Sequence, residues 1–138
     1  MAMSDAEKQA LKETMAERAK ARKKMTPEQL EQEVVDKIAA MAPADRALGE
    51  KVHALVKKVA PSLQAKTWYG MQAYCDAAGK TVVFFQDAGK FKSRYSTLGF
   101  QDAAKLDDEL MWATSFAVLG WNASVEKQIS ELLKRAIS

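Results

Sequence analysis

One cysteine and one histidine in 138 residues remove several kinds of chemistry at once. Cys75 has no second cysteine for an internal disulfide, and a lone thiol suits a reducing compartment, so a cytoplasmic protein is expected. His53 and Cys75 stand apart, which leaves no His/Cys cluster for a soft metal and no visible nucleophile–base constellation, so an enzyme is not expected. The glycines do not form a phosphate loop, because Gly70, Gly79, Gly89 and Gly99 fall at turns or strand ends. No apolar run reaches the length of a membrane span, and the polar N-terminus has no apolar signal region, so no membrane partner is expected. A dominant charge is missing too. The net charge of +3 is too small to imply nucleic acid, which calls for a clustered basic footprint. Internal repeats and low-complexity tracts are also lacking.

What is present is enough chain for one domain with a real core, and clear local signals. Residues 4–23 read as a helix: Ser4 and Glu7 have capping-box spacing, and Arg18, Lys20, Arg22, Lys23 and Lys24 gather where the helix dipole favours cations. Its apolar face is thin (Ala6, Ala10, Leu11, Met15, Ala19), so it should be peripheral or docked on a partner. Thr26, Pro27 and Gln29 form a second start signal for a helix to Met41, carrying Leu30, Val34, Val35 and Ile38 on one face. A third helix over 44–60 repeats Leu48, Val52, Leu55, Val56 and Val59 at core spacing and stops at Pro61.

Strand signals then take over. Residues 66–76 read as one strand, 81–86 as a second and 90–98 as a third, the last two joined by a three-residue hairpin at Asp87-Ala88-Gly89 and the third broken by Gly99. Residues 101–109 read as a loop, and 111–118 as a fourth strand or a short buried helix. Asn122 caps a final helix striped with Val125, Ile129, Leu132, Leu133 and Ile137.

Alternation assigns faces. In the third strand Lys92, Arg94, Ser96 and Leu98 share one side, and two cations there cannot enter an apolar core without partners, so that side should be solvated or line a site. In the first strand Tyr69, Met71 and Ala73 are expected inward. Residues 57–94 hold seven basic side chains and two acidic ones. Lys66, Trp68, Lys92 and Arg94, with Tyr69 beside them, therefore form the candidate site for a small anionic or polar ligand, since arginine grips carboxylate or phosphate through paired bonds.

The runs Lys66-Thr67-Trp68-Tyr69-Gly70-Met71-x-Ala73-Tyr74, Phe91-Lys92-x-Arg94-Tyr95-x-Thr97-Leu98-Gly99-Phe100, Leu106-Asp107-Asp108 and Met111-Trp112-x-Thr114-x-Phe116-Ala117 resemble the bacterial YdhG-like family, which is defined by a domain of unknown function. The resemblance covers residues 43–137 and implies a small α+β domain whose antiparallel sheet is backed by helices. One branch of that family is associated with intracellular iron delivery in a frataxin-like role, so the resemblance implies iron as a ligand. A hard-ligand iron site would need carboxylates, and Asp107 and Asp108, with Asp102 and Glu109, are the one dense acidic group. Gln72 departs from the family, which usually carries proline after Gly-Met, and restores a donor to the ladder.

The expectation is thus an α+β fold with three to four antiparallel strands packed against helices. Residues 1–42 form a helical extension and residues 43–138 the YdhG-like domain. The leading function is non-enzymatic binding of a small ligand or of iron. The alternative is an interaction module that uses the N-terminal helices for homodimerisation or partner docking.

Overall fold

The computed structural model describes residues 4–21 and 25–138. The helices are α1 (Asp5–Ala21), α2 (Pro27–Ala39), α3 (Pro43–Val59), the single turn α4 (Ala88–Phe91) and α5 (Ala123–Ala136). The strands are β1 (Gln64–Trp68), β2 (Met71–Cys75), β3 (Thr81–Gln86), β4 (Ser96–Phe100) and β5 (Ser115–Val118). They form one antiparallel meander in the order β1-β2-β3-β4-β5, so the α+β class holds and the strand number rises to five.

Local signals set the helix starts. Ser4 Oγ accepts from the Glu7 amide at 3.1 Å. At α2 the capping box is complete: Thr26 Oγ1 accepts from the Gln29 amide, and Gln29 Oε1 accepts from the Thr26 amide. Asn122 Oδ1 accepts from the Val125 amide at 2.8 Å and starts α5. The basic run 22–24 expected to close α1 lies outside the described residues, as do the side chains of Arg18 and Lys20.

Several strand expectations change. The run 66–76 is not one strand but a hairpin. Tyr69 and Gly70 take φ of 50° and 75° between paired Trp68 and Met71, a two-residue turn that reverses the chain. Tyr69 is therefore exposed at the tip rather than turned inward. The expected hairpin at 87–89 is instead α4, closed by Lys92 at φ 53°. β4 starts only at Ser96, which takes Lys92 and Arg94 out of the sheet and into the α4–β4 loop. Long-range bonds hold this turn: the Gly89 amide donates to Asp45 Oδ2 at 2.9 Å, the Ala88 amide to Ser96 Oγ at 3.1 Å, and Lys90 Nζ to Gly70 O at 2.9 Å.

Gly99 does not end β4 but pairs with Phe84 within it, and a Cβ there would lie 2.2 Å from Phe84 Cζ. The absence of a side chain lets the Phe84 ring lie across the strand. The 111–118 segment is strand only over Ser115–Val118.

Register and alternation separate the two faces of the sheet. Ala65, Gln72, Tyr74, Val83, Phe85, Leu98, Phe100 and Val118 share one face, and all are buried. That face meets Val34 and Ile38 of α2, Val52 and Val56 of α3, and Ile129 and Leu133 of α5 in one apolar cluster. Each such side chain contributes roughly 1.5–3 kcal/mol of transfer free energy. Lys66, Trp68, Met71, Ala73, Phe84, Gln86, Thr97 and Ala117 carry the other face; Met71 and Ala73 are buried there, outside the helix-covered cluster they were expected to join, and the others are half-buried to exposed. No helix among the described residues is long and apolar enough to cross a membrane.

Candidate functional site

The side chains expected to bind ligand fall into two groups. Lys66 and Trp68 share the open face of β1; Lys66 Nζ donates to Gly79 O at 3.0 Å, and the Trp68 ring meets Tyr69 edge-on at 4.8 Å and Phe84 at 5.4 Å. Lys92 and Arg94 are exposed in the α4–β4 loop. The first pair thus sits on the open sheet face, and the second in a loop that precedes β4. The expectation that the two cations stay out of the core holds, but they do so from a loop rather than from a strand face.

Arg94 has different company. Its guanidinium sits 5.2 Å from the Tyr95 ring centroid. Together they edge a groove of about 390 Å³ between the first half of α3, the α4–β4 loop and the β5–α5 connection. Lys51 and Asp45 reach it from α3, and Leu48, Val118, Leu119 and Trp121 supply apolar wall. The Asp45 carboxylate accepts from the Gly89 amide and keeps its charge, so two cations, Arg94 and Lys51, and one anion line the groove. Arg94 was legible as a free cation. Lys51 was not, because on α3 it looks like any solvated lysine until the fold sets β5 and α4 beside it.

A second groove of about 380 Å³ lies on the other side of Asp45, between α1, the α2–α3 corner and α4. The Glu13 carboxylate bonds both Lys37 and Lys90 there, tying α1 to α2 and α4. Burial works to raise the Glu13 carboxyl, but the Lys37 and Lys90 ammonium groups and the Gln9 amide outweigh it and hold the group below its ordinary value. Burial lowers the Lys90 ammonium, with nearby Lys37 adding to the effect and Glu13 opposing it. Asp87 is buried, and one of its oxygens has no hydrogen-bond partner among the described residues. Burial and neighbouring Asp45 raise its carboxyl against the pull of the backbone amides of Asp87 and Lys90.

Asp107 and Asp108 stand exposed in the loop after β4. Among the described residues no three His, Cys, Asp or Glu side chains come together as a metal-ligand set. His53 is held by Tyr74, with Nδ1 at 2.8 Å from the hydroxyl. Cys75 is buried in β2, its thiol pushed up by burial.

The fold and these grooves define a class: a small α+β protein with an antiparallel meander covered by helices on one face and grooved at the end where α3, α4 and β5 meet. Comparison with protein-family models, with curated proteins and with solved structures finds no match to this chain.

Proposed function

We propose that this protein is a non-enzymatic binder of a small organic anion, seated in the groove edged by Arg94 and Lys51. One observation carries the reading: Arg94 and Lys51, for which no ion pair occurs among the described residues, outnumber the one carboxylate, Asp45, in a groove whose apolar wall includes Leu48 and Trp121. Binding sites for small molecules combine a largely apolar lining with a few charged or polar groups that orient the ligand. Arginine supplies paired donors for a carboxylate or phosphate, and the Tyr95 ring beneath it limits the positions the guanidinium takes. The hydrogen bond of His53 to Tyr74 and the burial of Cys75 fit structural roles for these two side chains.

The resemblance to the YdhG-like family supplies the iron version of this function. It draws on Asp107 and Asp108, and nothing in their surroundings adds a third ligand among the described residues. The groove therefore supports an organic anion better than a metal cargo.

Benzoate and inorganic phosphate serve as probes in a chemical-shift titration of labelled protein. The expected result is saturable movement of the Trp121 indole and of amides around 51 and 94, larger for benzoate because it also meets the apolar wall, and a loss of about tenfold in affinity in Arg94→Ala. Saturation with unchanged affinity in that variant, or no saturable shift with either probe, overturns the reading.

A further inference from the structure

The stretch from 110 to 125, LMWATSFAVLGWNASV, has no charged residue, in a chain where charged side chains make up 28%. It contains β5, the last strand of the meander, whose outer side has no neighbouring strand among the described residues. The Phe100 amide donates to Thr114 O at 2.7 Å, which fixes the phase of the ladder. Backbone groups of Thr114, Phe116 and Val118 then point toward β4, and those of Ser115 and Ala117 point away from the sheet. Leu110 is 99% exposed, Met111 88% and Leu119 77%, with Trp112 also exposed. Edge strands in monomeric proteins are ordinarily blunted by charge, by proline or by a covering element. Over residues 110–125 neither charge nor proline occurs, and 115 and 117 are open to solvent.

We infer that a second copy of this chain pairs with β5, antiparallel to it about a two-fold axis, joining two five-stranded sheets into one. Three observations select a second copy over another occupant. The outward amide and carbonyl groups of an antiparallel edge complement themselves under a two-fold operation, so one patch serves both partners. Each chain carries a net charge of +3, and the uncharged 110–125 stretch is where two copies approach without setting like charges against each other. Covering Leu110, Met111, Trp112 and Leu119 on both copies removes roughly 1,000 Å² of surface, the size at which a specific interface becomes stable. An apolar groove of about 430 Å³, lined by Phe116, Leu119 and Leu132, runs beside the edge and can receive side chains of the added strand. The inference does not rest on the anion groove, and it places self-association on the sheet edge rather than on the N-terminal helices.

Sedimentation equilibrium on the full chain, from about 1 to 300 μM, reads the association directly across the range expected for an interface of this size. Wild type should move toward twice the mass of one chain. Ala117→Pro should hold the chain monomeric: its N–H points away from β4, so the fold loses no ladder bond while the incoming strand loses one. Leu110→Lys with Met111→Lys should do the same from exposed positions that neither the core nor the anion groove uses. Unchanged circular dichroism in the lysine pair separates lost association from lost folding. A wild type that stays monomeric throughout, or a dimer untouched by the lysine pair, overturns the inference. So does a dimer lost on deleting residues 1–24 but kept in both edge variants.

Discussion

Gln72 Nε2 donates to Gly49 O at 3.2 Å and to the Tyr74 hydroxyl at 3.1 Å, and that hydroxyl lies 2.8 Å from His53 Nδ1. The Tyr74 hydroxyl thus bridges the Gln72 amide and the His53 imidazole. Burial lowers the His53 pKa, with Lys57 adding to the effect and Glu31 opposing it. The unfolded imidazole titrates near ~6.5, so below that pH the unfolded chain holds more protons than the folded one. This contribution is fully present above about pH 6.5 and is lost as pH falls toward the lower folded value. Urea midpoints measured from about pH 7.5 to 5.5 should drop in wild type and drop less in His53→Gln; parallel curves for the two proteins would show that the imidazole is not the group responsible. The Gln72 side chain also ties β2 to α3. The residue type was plain in the sequence, but its partners at 49 and 74 were not.

Among the described side chains, those of α1 hold it to the rest chiefly by charge. Leu11 is half exposed, and Glu13 supplies the bonds that reach α2 and α4. Glu13→Gln keeps the shape and removes the charge that both lysines engage. Amide exchange should then rise across residues 5–14 while α2, α3 and α5 keep their protection, because those helices rest on buried apolar stripes. Equal loosening of all helices would show that α1 is integral to the core. This ranking of helices was readable from periodicity: the thin face of α1 against the full stripes of α3 and α5. The strands were less readable. The Tyr69-Gly70 reversal sits inside an unbroken run of strand-forming residues, and alternation continues through it, so one long strand and a tight hairpin look alike.

For the whole molecule the question is where the folding unit begins. The sequence pattern sets an extension over 1–42, yet Val34 is fully buried and Ile38 nearly so, both against the same cluster as Val52 and Leu133. Removing two such side chains costs roughly 4–10 kcal/mol, comparable with the entire stability of a small domain. A chain lacking residues 1–24 should therefore unfold cooperatively with a modest loss of midpoint, and one lacking residues 1–42 should show no cooperative transition. Near-native calorimetry of the shorter chain would instead make α2 dispensable.

Capping, periodicity and turn chemistry are free energies exchanged between residues a few positions apart, and so the sequence alone determined α2, α3, β3 and α5, the solvation of Lys92 and Arg94, and the lack of an internal disulfide. The conformation of residues 88–92 depends on Asp45, Glu13 and Gly70, which lie 44, 77 and 20 positions from the groups they bind. Partners that distant in sequence act only once the chain has closed on itself. The tertiary structure therefore decided that α4 replaces a hairpin, that Arg94 and Lys51 line one groove, and that the uncharged segment after Glu109 ends up along an open edge of the sheet.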